Sequence, residues 1–170
     1  MEIVYFSFIL FLFVLAIVDL NVGVSNDAVN FLNSAIGAKV ARFRTILIIA
    51  SIGVFIGATM SNGMMDIARH GIFQPQMFSF NDLLCIFLAV MVTDVVLLDV
   101  FNTLGMPTST TVSMVFELLG GTFILALLKI ASDETGMLGF AELMNTDKAL
   151  SVILGIFLSV AVAFVFGVIV

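Results

Sequence analysis

Apolar residues run along this chain in long blocks rather than alternating with polar ones, and two of the blocks carry no charge at all: Thr45 to Met65 and Ala149 to Val170. A helix that crosses the hydrocarbon core of a bilayer needs about 20 mostly apolar residues, so both blocks predict spans. Ile3 to Val18 is slightly shorter, but it extends through Leu20 if Asp19 turns away from lipid, and it predicts a first span. No basic residue precedes it and no small-x-small site follows, which separates it from a cleaved leader. From Leu83 to Lys129 the apolar pattern is long enough for two crossings, interrupted by Asp94, Asp99, the run Asn102 to Pro107, and Glu117. A comparable break, rich in Gly, Asn and Ser, covers Asn21 to Ala38. Non-helical backbone at membrane depth is tolerated only where it is buried in protein or lines a cavity, so such breaks mark binding sites. The expected fold is an all-α integral membrane protein with about five transmembrane helices, with re-entrant or broken helices at two polar motifs, residues 1–170 forming a single transmembrane domain.

Composition agrees with that pattern. Of the 170 residues 62% are hydrophobic and 11% charged, and the mean hydropathy is +1.27, far from the quarter of charged residues in ordinary soluble domains. Water-soluble enzyme classes are thereby excluded. Twelve acids against six bases give a net charge of −6, the wrong sign for a nucleic-acid footprint. One cysteine, Cys85, allows no disulfide framework within the chain. Lys39, Arg42 and Arg44 crowd the short connection before the second span, which places that connection in the cytoplasm and the N-terminus outside. Arg69 and Lys148 then fall outside, and Lys129 is read as a snorkelling residue at a helix end.

The first break reads Gly23-Val24-Ser25-Asn26-Asp27-Ala28-Val29-Asn30. Ser25 or Asn26 suits the N-cap of a helix beginning near Asp27. On that helix Asp27, Asn30 and Ser34 share one stripe and Asn26, Asn30 and Asn33 the next, so carboxylate and amide oxygens converge on one face, as a hard cation requires. Gly23, Ala28, Ala35, Gly37 and Ala38 allow another backbone to approach. The second break reads Asn102-Thr103-Leu104-Gly105-Met106-Pro107-Thr108-Ser109-Thr110-Thr111-Val112-Ser113. Gly105 permits a tight reversal, and Pro107 suits the first position of a helix. The N-terminus of that helix, ringed by the hydroxyls of Thr108, Ser109, Thr110 and Thr111, is suited to an anion. The bland alternative is that these hydroxyls bond back to the preceding turn or glue helices together.

The first motif resembles the Gly-x-Asn-Asp-x-x-Asn signature of the inorganic phosphate transporter (PiT) family, with one extra residue between Gly and Asn. Gly105 to Thr111 is similar to that family's Gly-x-Pro-x-Ser-Thr-Thr element. Ser34 to Lys39 and Gly120-Gly121 extend the similarity over most of the chain. The resemblance implies a carrier importing phosphate with Na⁺ or H⁺ as coupling ion, and no other cofactor or metal. It implies inverted repeats that each bring one copy of both motifs. Carried over by position, Asn26, Asp27, Asn30, Ser109, Thr110 and Thr111 are expected to bind phosphate, and Asp27, Asn30, Asn102 and Thr110 the cation. Three departures stand out: Val112 occupies the place of a His in the family, Ser25 stretches the first signature, and each motif occurs once. One repeat cannot rock against itself around a midplane site. The chain is therefore expected to be one half of an inverted-repeat transporter, the N-terminal part of a longer one, or else to need a second copy as a homo-oligomer in the plasma membrane.

Among the other acids, Asp94 and Asp99 are five residues apart and do not share a face, so they do not form a carboxylate pair. Asp99, three residues before Asn102, is a candidate cation ligand or an orienting partner, and Asp19 stands four residues before Gly23. Glu117 lies seven residues after Thr110 on the same stripe and faces the cavity in this reading. His70, near Asp66 and Arg69, has no second His or Cys to make a metal site and reads as a loop residue. Two rivals keep the same residues: a carrier of sulfate or another oxyanion, and a structural membrane subunit whose polar clusters only bind helices together. Nothing pairs a nucleophile with a base, so an enzyme is not expected.

Overall fold

The computed structural model describes residues 2–61, 71–106, 108–133 and 136–169, which are helical apart from short connections. Its first element, α1 (Glu2–Gly37), is 36 residues long, about 54 Å at 1.5 Å per residue, well beyond the ~30 Å of a hydrocarbon core. The break expected at Asn21 to Ala38 is therefore not a break in the backbone. Polar side chains compete with helix only when they bond to their own main chain in other conformations, and here they do not. The Ser25 hydroxyl donates to the Asn21 carbonyl one turn back at 2.8 Å, so it caps nothing, and Asn26 and Asn30 spend their amides on another segment. The helix ends where Lys39 turns left-handed at φ +51°. Val40 N–H bonds to Ala35 O at 3.3 Å and Lys39 N–H to Ile36 O at 3.2 Å, the paired bonds of a Schellman ending.

The second element, α2 (Phe43–Thr59), has 17 residues and stops six short of the expected span end at Met65; residues 62–65 lie outside the described residues, as do Asp66, Arg69 and His70. In its last turn Thr59 Oγ1 donates to Ile56 O at 2.7 Å, and just beyond it Ser61 Oγ donates to Ala58 O at 2.8 Å. A one-turn 3₁₀ segment (Pro75–Met77) leads to α3 (Phe80–Thr103), opened by a reciprocal cap between Ser79 and Asp82. The chain reverses through Gly105, whose φ of +68° suits a residue without Cβ. It then enters α4 (Thr110–Ser132), whose N-cap is Ser109. Pro107, expected at the first helical position, lies outside the described residues, and the helix begins after it, at Thr110. A single turn, α5 (Phe140–Leu143), precedes α6 (Thr146–Ile169). Among the described residues four helices, α1, α3, α4 and α6, are long and apolar enough to cross a membrane, and α2 is a shorter apolar helix, against the expected total of about five spans.

The body of the molecule is the trio α1, α3 and α4, with α2 leaning on α1. Ile86, Val90 and Leu98 of α3 meet Val115, Leu118 and Ala126 of α4 in a buried seam. At one end the seam is closed by Ile72, Phe73, Phe78, Leu143 and Met144. Bonds from Gln74 N–H to Leu143 O and from Asn145 N–H to Ile72 O hold these two connections side by side. Lys129 does not snorkel freely: its ammonium pairs with Asp82 at 2.8 Å, donates to Met77 O at 3.0 Å and lies over the Phe78 ring. Most side chains of α6 and α2 face outward, which suits lipid or neighbouring protein rather than water.

Candidate functional site at the meeting of the two motifs

The two motifs, about eighty positions apart in sequence, meet side by side. Asn26 is fully buried in α1, and its amide is used twice on one residue of the second motif: Nδ2 donates to Thr108 O at 2.6 Å and Oδ1 accepts from Thr108 N–H at 3.1 Å. Four residues on, Asn30 Nδ2 donates to the same carbonyl at 2.7 Å. The i, i+4 spacing on an unbroken helix aims both amides at one point. The next residue along, Asp27, receives the Thr110 hydroxyl at 3.2 Å on each carboxylate oxygen. Asn102, at the other end of the connection, donates to Val22 O at 3.2 Å. Gly23 stands at the contact itself, where an added Cβ would touch Thr110 and Leu98.

Of the residues expected to bind phosphate, Asn26, Asp27, Asn30 and Thr110 are thus brought together. Ser109 serves as the cap, accepting Val112 N–H on its hydroxyl at 3.4 Å, and Thr111 lines the adjacent pocket. The expected cation residues divide: Asp27 and Thr110 face one another, while the amides of Asn30 and Asn102 are held by main-chain carbonyls. Asn33, Ser34 and Asp99 are exposed and away from this junction.

Beside the junction lies an open pocket of about 240 Å³ between α1, α3 and α4. Its lining includes Asp19, Gly23, Asp27, Asp94, Thr110 and Thr111, three acids and no basic residue. Sequence reasoning missed the partnership of Asp19 with Asp94. The signal was present: with α1 continuous, Asp19, Gly23, Asn26, Asp27 and Asn30 recur at helical spacing on one face, which the supposed break concealed. Asp94 was tested against Asp99 on its own helix, whereas its neighbours come from other helices. Among the described residues, no three His, Cys, Asp or Glu side chains close into a metal cage.

The sequence model of the phosphate transporter family matches residues 23–170, and so takes in both motifs and α2 to α6. The chain belongs to the phosphate transporter family. Its function is accordingly phosphate transport, and the apolar helices make it a multi-pass membrane protein. No curated protein and no solved structure was found to match it.

Proposed function

We propose that this phosphate transporter carries inorganic phosphate together with a coupling cation, Na⁺ or H⁺, through the pocket beside Asp27 and Thr110. The observation that carries this reading is the union of a helix start with a carboxylate. The first N–H groups of α4 have no partner within the helix and carry the positive end of its dipole, so they favour an anion. Thr110 and Thr111 add hydroxyls at that end. Yet Asp27, Asp19 and Asp94 line the same pocket, with no Lys, Arg or His among the lining residues. Phosphate entering alone would meet repulsion from every one of them. A cation on the acids offsets that charge, so anion and cation bind best together. Asp27 and Thr110 are the pair nearest both roles. Asn26 and Asn30 act by holding Thr108 and hence the start of α4 in place, and Ser109 and Asn102 fix the two ends of the connection.

Transport by rocking one repeat against another needs a second unit around the site. The outward apolar faces of α2 and α6 are suited to a second repeat or a second copy of the chain. Lys39 and Arg42, exposed between α1 and α2, and Arg44 in the first turn of α2 support an N-terminus outside a plasma membrane. Asp27→Asn should abolish cation-driven phosphate uptake by the assembled carrier at normal expression; retained uptake would count for helix glue instead. Excess sulfate should leave labelled phosphate uptake unchanged, because phosphate retains a donor hydroxyl for an acceptor such as Asp27. Equal competition by sulfate would remove that preference.

A further inference from the structure

One set of acids, Asp94 buried and Asp19 and Glu117 half-buried, is not needed to hold the two motifs together. Asp94, near the middle of α3, is 94% buried, the complement of its 6% exposure, and one of its oxygens, Oδ1, has no hydrogen-bond partner. It lines the same pocket as Asp19 of α1 and stands within hydrogen-bonding reach of it. Glu117 of α4 faces both, bonded to Ser113 on one oxygen at 3.0 Å and unpartnered on the other. Asp19 Oδ1 is likewise buried and unpartnered. The charged groups facing Asp94 are thus Asp19 from α1 and Glu117 from α4, with Asp27 across the pocket, and the pocket lining contains no base. Two ionised carboxylates cannot hydrogen-bond each other, and three cannot share a membrane interior without a positive charge among them. A proton needs only the two oxygens of a carboxylate pair.

We propose that Asp19, Asp94 and Glu117 are the proton-carrying site of this transporter, one proton being held between Asp19 and Asp94 beside the phosphate pocket and exchanged with water on either face as the carrier turns over. The inference rests on the proposed co-transport of phosphate with a cation and names the cation and its seat. The proton arrives from water, bridges one carboxyl oxygen to the other, and leaves to water. No other bond is made or broken. Glu117, bonded to Ser113, is the third carboxylate beside the pair.

The test is phosphate transport by the protein in its native assembly, reconstituted in vesicles. The unaltered protein should accumulate labelled phosphate under an inward proton gradient in Na⁺-free buffer. Asp94→Asn should lose gradient-driven accumulation by about tenfold or more, within the 5- to 150-fold range of couplings between sites, and any phosphate–phosphate exchange that remains should no longer depend on pH. Asp27→Asn should lose exchange and accumulation alike, so a failure of the phosphate reading shows itself separately. Accumulation by Asp94→Asn at the unaltered level overturns the proposal, as does accumulation by the unaltered protein under a Na⁺ gradient alone. If Asp94→Asn also loses exchange, infrared spectra of the unaltered protein decide. A carboxylic C=O band that titrates and is shifted by Asp19→Asn supports the site, and the absence of such a band overturns it.

Discussion

The junction of the two motifs and the acid group a few turns away are built from the same kinds of residue, yet they treat them oppositely. At the junction the polar side chains that hold the motifs together have partners: Asn26 uses both ends of its amide on Thr108, Asn30 its nitrogen, and Asp27 receives Thr110. Among the acids, Asp19, Asp94 and Glu117 each keep one buried oxygen without a partner. A satisfied buried group fixes structure, whereas an unsatisfied one is destabilising until something binds to it. The contrast separates the part of the molecule that positions the helix start from the part prepared to take up a charge.

The largest way to break this comparison is at Asn26. Asn26→Ala orphans Thr108 N–H and leaves the Thr108 carbonyl to Asn30 alone. The unsatisfied group costs about 1–3 kcal/mol, so thermal unfolding in detergent should shift downward and expression should fall. Little change would mean that the junction does not hold the motifs together. The next effect is functional as well as structural. Thr110→Val removes the hydroxyl facing Asp27 at nearly constant volume. It should weaken phosphate uptake about tenfold, and loss of a bond to a charged group, worth ~1.5–3 kcal/mol, should lower the melting temperature as well. Glu117→Gln sharpens the contrast through its sign, because the amide keeps an oxygen for Ser113 and removes a charge from the acid group. It should raise stability by ~1 kcal/mol or less, read from thermal unfolding, where Asn26→Ala lowers it. The smallest effect belongs outside both regions. Lys129→Met breaks a partly exposed pair with Asp82 and should cost ~1 kcal/mol or less with uptake unchanged.

Much of the fold was legible in the sequence because apolar length is a one-dimensional property. The two crossings between Leu83 and Lys129, the reversal at Gly105 and the last span all fall where apolar runs and a glycine put them. The first motif was misread for an equally physical reason. A run of Asn, Ser and Asp signals a turn when those side chains bond to their own backbone. Here Asn26 and Asn30 bond to Thr108 instead, and only the folded chain supplies that partner. That α2 ends at Thr59, inside an uncharged run, is a further point that composition does not record.

By itself, the sequence determined that this chain lives in a membrane, that its helices are strung between two polar motifs, and that those motifs are of the phosphate transporter kind. It singled out Asp27 and Thr110 as candidates, because residue type and spacing suggest chemistry without any need for a partner. The tertiary structure decided that the first motif lies on an unbroken helix. It also decided that Asn26 clamps rather than caps, and that Asp94 answers to Asp19 and Glu117 rather than to Asp99. Those are relations between helices, set by which faces pack together, and no reading along a single strand of sequence contains them.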